Sequence, residues 1–464
     1  MEMKKYKLGE LMDITRGQSL SGEYYSKSGN LVRLTLGNFD YHNNCFKDDK
    51  SKDNLYFTGS VKKEFILKKD DIITPLTEQA IGLLGSTAKI PCSGKYIQSQ
   101  DVALIKCNKK LNPDFAFYLI PSKMVRTQLS AAAQQTKIRH TSPDKIKDCS
   151  VWVPEYSEQE KIGKLLSRID NKIAINRQIN RNLEELAKQI YDYWFVQFDF
   201  PNEEGKPYKS SGGKMVWNEF LKREIPADWE VKRLGEILVK IDSGKRPAGG
   251  INKALKSGIP SLGAECIDDL GVFDFSSTPF IDNSYRNKLT TGKICNNDIL
   301  VYKDGAYVGK ITLFRDNFPY EEVFVNEHVF LIHAQEECLE EYLYFSLKQK
   351  AYFQIMQNLG KAKAAQPGLN REDMQNILLI VPNKNIVSIF HNKVGLLFEN
   401  LFNNARAIGN LSSLRDNLLP LLMNGQVTLN SCLSLIIHLY DTIFARINFT
   451  TRNSKYISTK VMKN

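Results

Sequence analysis

The sequence has no closely spaced cysteines. Eight cysteines are scattered over 464 residues and none forms a Cys-x-x-Cys pair, which excludes the common zinc modules and a thioredoxin-like redox motif. Long hydrophobic runs are also missing. Residues 432–445 are interrupted by His438 and Asp441 and fall short of the roughly 18 apolar residues of a membrane span. With no signal-peptide pattern at the start, we expect reduced thiols and a cytoplasmic protein without membrane attachment.

Catalytic motifs are equally scarce. There is no Gly-x-x-x-x-Gly-Lys-Ser/Thr loop for ATP. Residues 112–115 read Asn-Pro-Asp-Phe, where an amino-methyltransferase has a second proline, and no glycine-rich cofactor loop precedes them. The six histidines form no cluster in the sequence, so we expect no metal site and a structural role for His391. We therefore expect a non-catalytic protein.

The charge is basic, but much of the excess lies in one place. Lysine and arginine number 63 against 52 acidic residues, a net charge of +11. Residues 431–464 contain five basic residues and one acidic residue, so this tail contributes +4. Such a charge permits nucleic-acid binding without indicating where DNA would bind. The 42% hydrophobic content excludes a mainly disordered chain.

The chain contains an internal repeat. Leu-Gly-Glu-Leu at 8–11 recurs as Leu-Gly-Glu-Ile at 234–237, and Asp-Ile-Ile at 71–73 recurs as Asp-Ile-Leu at 298–300. Val-Pro at 153–154 recurs at 381–382. Since the offset stays between 226 and 228 residues, these matches predict two similar halves.

Each half ends in a heptad pattern, with apolar or asparagine residues at alternating steps of four and three. The first series is Ile162, Leu166, Ile169, Ile173, Asn176, Asn180, Leu183, Ala187, Ile190 and Trp194. The second is Phe390, Val394, Leu397, Leu401, Asn404, Ile408, Leu411, Arg415, Leu418 and Leu422. The pattern predicts two helices that pair, with Asn176 and Asn404 fixing their register. Two unpaired amphipathic helices in separate cores remain the alternative.

These patterns predict an α+β fold with a pseudo-twofold internal repeat: two similar globular domains separated by an antiparallel pair of long coiled-coil helices. Short β-rich runs and turns fill the domains. The boundaries are a first globular domain at 1–154, spacer helix 1 at 155–195, a linker at 196–228, a second globular domain at 229–382, spacer helix 2 at 383–424 and a basic tail at 425–464, for which order and disorder both stay open.

The duplicated chain resembles the DNA-specificity subunit of Type I restriction–modification enzymes. The resemblance is strongest at 193–201 (Tyr-Trp-Phe-Val-Gln-Phe-Asp-Phe-Pro), 225–229 (Ile-Pro-Ala-Asp-Trp) and 418–425 (Leu-Leu-Pro-Leu-Leu-Met-Asn-Gly). It implies that the domains at 1–154 and 229–382 are target-recognition domains, each of which recognises half of a bipartite site in double-stranded DNA, while the helices space the halves. It also implies two methyltransferase (modification) subunits and two restriction/translocase subunits as partners. S-adenosylmethionine and ATP with Mg²⁺ would bind only to those partners.

A helix of about 34 residues is ~50 Å long and covers roughly 15 base pairs of DNA. If each domain covers three to five base pairs, about five to eight remain unread between them. A docking scaffold without DNA specificity, or a silent recombination cassette of the same architecture, is the alternative interpretation.

Polar, glycine-flanked loops supply the candidate DNA contacts, because arginine and lysine suit guanine and phosphates while glutamine suits adenine. The candidates in the first domain are Arg16, Gln18, Arg33, Gln135, Lys137 and Arg139, and those in the second are Lys245, Arg246, Lys303, Tyr307, Lys361 and Lys363. The segments 134–140 and 360–366 precede the repeated Val-Pro by similar distances, which suggests equivalent loops. Any of these residues could equally be ordinary solvated surface.

Overall fold

The computed structural model describes residues 2–428 except 50, 79, 81, 133–138, 247–249, 251–254, 306, 335–338 and 362–367. It divides the chain into two compact units. One comprises residues 1–171 with 412–464, and the other residues 172–411. Most of the predicted tail, residues 429–464, lies outside the described residues.

The first unit contains two four-stranded sheets and three short helices. One sheet has the antiparallel order β10-β8-β12-β2, and the other the order β11-β4-β7-β3 with β11 parallel to β4. The strands are β1 Lys4–Lys7, β2 Met12–Arg16, β3 Tyr25–Ser26, β4 Val32–Arg33, β5 Phe39–Asp40, β6 Cys45–Phe46, β7 Tyr56–Phe57, β8 Ile72–Pro75, β9 Thr77–Glu78, β10 Ala88–Lys89, β11 Tyr96–Ile97, β12 Val102–Cys107, β13 Arg139–His140 and β14 Ser150–Val153. The short helices are α1 Pro113–Leu119, α2 Lys123–Ala132 and α3 Pro143–Lys147, and the first long helix, α4 Tyr156–Tyr191, begins in this unit.

The second unit repeats this topology. Its main sheet has the order β18-β24-β21-β22, and a smaller sheet pairs β19 in parallel with β23. The strands are β15 Met215–Asn218, β16 Arg223–Pro226, β17 Glu230–Arg233, β18 Leu238–Ser243, β19 Ile259–Leu262, β20 Phe280–Ile281, β21 Ile299–Tyr302, β22 Ile311–Leu313, β23 Phe324–Val325, β24 Val329–Ala334 and β25 Leu378–Val381. Its short helices are α5 Glu340–Lys348, α6 Lys350–Lys361 and α7 Arg371–Gln375, and α8 Lys384–Met423 is the second long helix.

Equivalent sequence motifs in the two halves form equivalent hydrogen bonds. In each Leu-Gly-Glu turn the glutamate accepts a hydrogen bond from the backbone N–H three residues earlier, Glu10 from Lys7 (2.6 Å) and Glu236 from Arg233 (3.2 Å). The repeated aspartates cap the turn before the central strand in the same way: Asp71 accepts from the Lys68 N–H and Asp298 from the Cys295 N–H, each at 2.7 Å. The predicted duplication is therefore confirmed at the level of local contacts.

The paired long helices are also confirmed. In the second unit the Asn180 side chain donates to the Leu401 carbonyl (3.1 Å), and further along α4 the Tyr191 ring lies 6.2 Å from that of Phe390. Since the residue number rises along α4 as it falls along α8, the helices are antiparallel. Seam residues such as Ile173 and Leu401 are buried, as the heptad pattern predicts.

Helix α8 buries more than the predicted seam. Phe398 and Phe402 are fully buried although they lie outside the heptad series. Phe398 packs 5.8 Å from Phe345 of α5, and Phe402 packs 5.7 Å from Phe318. The helix therefore contacts α4 on one side and its own domain on another, which the heptad pattern does not describe.

Residues 196–228, predicted as a linker, are folded. Phe198 and Phe200 are buried against the ring of Trp229 at 5.5 and 4.9 Å, and β15 pairs with β16 in a hairpin. The helical segment continues past Tyr191 through a π-helical turn at Asp192–Val196. Aromatic stacking of this kind stabilises a fixed connection between α4 and the second domain's first strand.

Candidate nucleic-acid interface

Three of the predicted loops in the second domain meet at one end of its main sheet. The Gly244 N–H donates to the Asn326 carbonyl (3.3 Å), and the Leu369 N–H donates to the Lys303 carbonyl (2.9 Å). Gly368 also forms an isolated bridge with Asp304 and donates to the Gly360 carbonyl. The loops that follow β18 and β21, the 326–328 turn and the residues flanking the undescribed 362–367 segment are therefore neighbours. We call this region the second loop cluster.

A chain of polar side chains crosses the second loop cluster. Arg246 forms an ion pair with Glu327, and its Nη2 lies 3.0 Å from His328 Nε2. His328 Nδ1 lies 3.0 Å from Asp304 Oδ2, while the Lys303 ammonium donates to the Glu327 carbonyl (2.9 Å). Each member has a partner, so the side chains are held in defined positions.

The electrostatics of this chain favour a fixed ion pair. Partial burial raises the pKa of Glu327, but the hydrogen bond from Arg246 and the positive charge of Arg246 outweigh the effect of burial. The pKa of Glu327 therefore lies below the ordinary value for glutamate. Glu327 is consequently ionised near neutral pH, and it orients the guanidinium. Lys245, Lys361 and Tyr307, which belong to the same loops, are exposed, Tyr307 with 69% of its surface accessible.

The first domain has the corresponding loop cluster, with different side chains. Thr77 donates to Asp101 (3.3 Å) and lies 3.2 Å from His140 Nδ1. Arg139 contacts the carboxylate of buried Glu78 (3.4 Å) and the Ser130 hydroxyl (3.2 Å). The β9–β13 pairing of Thr77 with His140 matches the bridge between Asp304 and Gly368, 227 and 228 residues later. The suggested equivalence of the two loops before Val-Pro is consistent with this match.

A glycine makes each cluster possible. A Cβ on Gly17 would lie 2.3 Å from the Gln98 carbonyl oxygen, and one on Gly244 would lie 1.5 Å from the Val325 carbonyl oxygen. No side chain fits at such distances, because the backbone itself is in the way. Glycine at these two equivalent positions thus lets the end of β2 or β18 approach the neighbouring turn, which places Gln18 and Lys245 at the cluster.

The predicted contact residues differ in their exposure and in their contacts. Arg16 is exposed at the end of β2, and Gln18 donates to the Ser60 carbonyl (3.3 Å). Arg33 is buried: its guanidinium lies 3.9 Å from the Tyr25 ring and contacts Asn54. Gln135, Lys137 and Lys363 lie outside the described residues. Lys303 is half-buried over the Phe330 ring.

The predicted register residues lie on the helix pair. Asn176 is buried with 2% of its surface accessible, and Asn404 is half-buried. A buried asparagine on a seam fits a register role, which stays a prediction for both residues. The side chain that donates across the seam is Asn180, whose Oδ1 is buried without a partner among the described residues.

Sequence reasoning missed four acidic or histidine members of the clusters, namely Glu78, Asp101, Glu327 and His328. Asp304 and His328 correspond, at an offset of 227, to Thr77 and Asp101, and both pairs are hydrogen-bonded. The repeat offset was a partial signal: projecting the 303–307 loop onto the first half gives 76–80, which contains Thr77 and Glu78, whereas no candidate loop projects onto Asp101 or His328. Composition could not identify these positions, because the side chains differ.

One further cluster of charged groups lies in the core of the second domain. Glu341 is fully buried and pairs with Arg315 (2.6 Å) and with His391 Nδ1 (2.8 Å). Glu340, Glu341 and His391 offer ligand atoms within 4.8 Å of one another. Because the Arg315 guanidinium already supplies the positive charge that a metal ion would bring, we assign this group to the structural core. Its contacts bind α5 to α8, in keeping with the structural role expected for His391.

Comparison with known proteins follows the same division into halves. The model of the Type I restriction modification DNA specificity domain matches residues 1–185 and 226–396. The HindI specificity subunit of Haemophilus influenzae is 24% identical, over 92% of this chain and 100% of its own length. The MjaIX specificity subunit of Methanocaldococcus jannaschii is 28% identical over 68% of this chain and 69% of its own.

The same fold occurs in a solved structure. The S subunit of a Type I restriction-modification system from M. genitalium superimposes with a TM-score of 0.55 at 17% identity, covering 91% of this chain and 96% of that one. Within the described part of the present structure, no helix is both long and apolar enough to cross a membrane. The duplicated domains, the paired helices and the family match over both halves establish that this chain belongs to the Type I restriction–modification DNA-specificity subunit family.

Proposed function

We propose that this chain is the sequence-specific DNA-binding subunit of a Type I restriction–modification complex, in which each domain recognises one half of a bipartite site. The observation that carries the proposal is the duplicated loop cluster. Each domain presents polar and cationic side chains at the equivalent end of its main sheet, where a glycine lets a strand end approach the neighbouring turn. The side chains at equivalent positions nevertheless differ between the two domains. Two unlike half-sites would require this combination.

The long helices would act as the spacer and as the docking surface for partners. Helix α4 has 36 residues and α8 has 40, so each is ~54–60 Å long. Two methyltransferase subunits would bind to the helices and domains, and two restriction/translocase subunits would complete the complex. S-adenosylmethionine would bind to the methyltransferase subunits and ATP with Mg²⁺ to the restriction subunits. The chain itself would catalyse no reaction.

Methylation mapping tests this proposal. The chain is expressed with its methyltransferase subunit in cells that lack other DNA methylation, and modified adenines are mapped across the genome. We expect a single motif made of two short defined sequences separated by a fixed number of unspecified base pairs. Co-purification of the two subunits serves as the control for assembly. If an assembled complex methylates no motif, the chain is a docking scaffold or a silent cassette and the proposal is wrong.

A further inference from the structure

We propose that the two methyltransferase subunits bind this chain with unequal affinity. The first binds to an exposed apolar row of side chains on α4, and the second to the corresponding, more polar positions of α8. This inference rests on the proposed function, which supplies two copies of one partner. The internal repeat relates the two sets of positions, yet their side chains differ in polarity.

The exposed side of α4 carries apolar side chains at regular spacing. Each precedes a seam residue by one position and has 39–54% of its surface accessible: Ile175, Ile179, Leu186 and, in the π-helical turn that follows, Tyr193. We call this row the α4 stripe. Since one residue corresponds to about a quarter turn of the helix, the stripe lies beside the seam with α8. Single exposed apolar residues are ordinary, but a row with heptad spacing is typical of a surface that packs against another helix.

Leu396 of α8 extends the apolar surface onto the second helix. It is 60% exposed and also stands one position before a seam residue. In an antiparallel pair, the positions before the seam lie on the same side of both helices. The contacts that flank it across the seam are Leu401 with Asn180 and Phe390 with Tyr191. Leu396 therefore lies level with the middle of the α4 stripe, and the apolar surface spans the groove between the two helices.

An amphipathic helix of the partner fits this surface. Heptad spacing is the spacing at which a second helix packs, and a groove between helices is a common place for such a helix to dock. The polar residues between the apolar ones bond to their own neighbours: Gln178 donates to Asn182 (2.8 Å) and Gln189 to Glu185 (3.2 Å). Burial of aliphatic side chains, rather than charge pairing, would therefore supply most of the affinity. The proposed complex contains two methyltransferase subunits, and the repeat supplies two related sets of positions.

The corresponding positions of α8 are more polar. At an offset of 228 residues, the α4 stripe corresponds to what we call the α8 stripe: Asn403, Ala407, Leu414 and Leu421. Leu396 corresponds at the same offset to Arg168, which is exposed. Two isoleucines and a leucine are thus replaced by an amide, a methyl group and a guanidinium. These replacements remove apolar surface that a partner could bury and add polar groups that lose water on contact. The same partner helix should therefore bind less tightly to the α8 stripe.

The test is a titration of the full chain with its purified methyltransferase subunit. Native mass spectrometry separates the complexes that contain one and two methyltransferase subunits and gives both dissociation constants. We expect the two constants to differ about tenfold or more after correction for the statistical factor of two sites. The complex with one subunit should then accumulate when one equivalent is present. Equal constants after this correction would show that the inference is wrong.

A matched pair of substitutions assigns each constant to one helix. Leu186→Gln should weaken the tighter binding about fivefold or more, whereas Leu414→Gln, at the corresponding position of α8, should weaken only the weaker binding. Glutamine is a good helix former, so both helices should be preserved. Asn403→Ile introduces into α8 the residue that α4 has at this position, and it should strengthen the weaker binding. Misfolding cannot produce such a gain.

The variants can also overturn the inference. It is wrong if Leu186→Gln leaves the tighter constant unchanged, or if Asn403→Ile does not strengthen the weaker binding. It is also wrong if the chain alone forms a dimer that Leu186→Gln dissociates, because the α4 stripe would then belong to a second copy of the chain. These results would leave the proposed function intact, whereas a methyltransferase subunit that does not bind to the wild-type chain at all would overturn the proposed function itself.

Discussion

Replacing Glu340 tests how strongly a buried carboxyl group makes the stability of the second domain depend on pH. It begins α5 beside the Glu341–Arg315–His391 cluster, is 4% exposed, and has a buried Oε2 without a partner among the described residues. Burial is the main cause that raises the pKa of Glu340 to about 7, and the negative charge of Glu341 adds to it. Replacing Glu340 with glutamine removes the ionisable group and keeps the shape, so we expect stabilisation at alkaline pH.

The sign follows from which state holds the proton. Between pH 4.5, the ordinary value for glutamate, and about 7, folded Glu340 is protonated while the unfolded chain is ionised. Unfolding therefore releases a proton, and stability falls as pH rises through this window and levels off above it. The difference in pKa corresponds to about 3 kcal/mol. Local rearrangement and water reduce this cost, so we expect Glu340→Gln to gain about 2 kcal/mol at pH 8 and almost nothing at pH 5.

The stability of the wild-type protein depends on pH through a second group, His391, as well as through Glu340. The hydrogen bond to Glu341 is the main cause that raises the pKa of His391. The resulting stabilisation is complete below pH 6.5 and is lost as pH rises through the raised value. His391 therefore acts in the same direction as Glu340. The negative charge of Glu340 is only a minor cause of the raised pKa of His391, whose main cause is the hydrogen bond to Glu341. Most of the His391 contribution therefore remains in Glu340→Gln, and the difference between variant and wild type reports mainly on Glu340.

The measurement is the melting temperature of the full chain between pH 5 and 8.5. For a unit of this size, 2 kcal/mol corresponds to a rise of roughly 4–8 °C. Glu399→Gln serves as the matched control, since Glu399 is exposed on α8 and its loss should leave the difference from wild type independent of pH. The reasoning would be refuted if Glu340→Gln were less stable than wild type at pH 8. It would also be refuted if its melting temperature differed from that of wild type by the same amount at pH 5 and pH 8.

Three other predictions concern the spacer, the loop cluster and the first unit. Duplicating the heptad 173–179 together with the facing segment 402–408 should lengthen each helix by ~10 Å. We expect the gap in the methylated motif to widen by about three base pairs, and an unchanged gap in the mapped motif would rule out the helices as the spacer. Gly244→Ala should abolish recognition of one half-site and destabilise the second domain by about 3 kcal/mol or more, because its Cβ would overlap a backbone carbonyl; a normal melting temperature and an unaltered motif would contradict this. Asp170→Asn should cost about 1–3 kcal/mol, since it weakens the contact to largely buried Arg415; in a double-mutant cycle with Arg415→Met, additive losses would show that the pair does not interact.

The repeat could be predicted because the same short motifs recur in both halves, and the helix pair because the heptad periodicity depends on residues close in sequence. Seam residues such as Leu166 recur at every third or fourth position, and on both long helices the seam lies where the heptad pattern places it. Phe398 and Phe402 could not be assigned in this way, since their burial depends on α5 and on the Phe318 loop of the same unit. Burial against a non-local partner leaves no periodic signal in the helix.

The folded connection at 196–228 was missed for a related reason. The buried aromatic residues Phe198 and Phe200 were present, but their partner, Trp229, lies beyond the turns and the hairpin. Single-sequence reasoning weights local composition and therefore underestimates such contacts.

The loop clusters divide the residues of each domain into those that build the site and those that could give it specificity. Gly17 and Gly244 are identical because the backbone approach permits nothing else. Thr77 and Asp101, by contrast, correspond to Asp304 and His328, although each pair keeps a hydrogen bond. The scaffold thus demands that these positions be polar and paired without fixing which groups they carry. If the domains bind DNA as we propose, a duplicated domain would acquire a new half-site by exchanging side chains at positions the fold does not constrain, and the same freedom would prevent sequence pattern alone from identifying the bases.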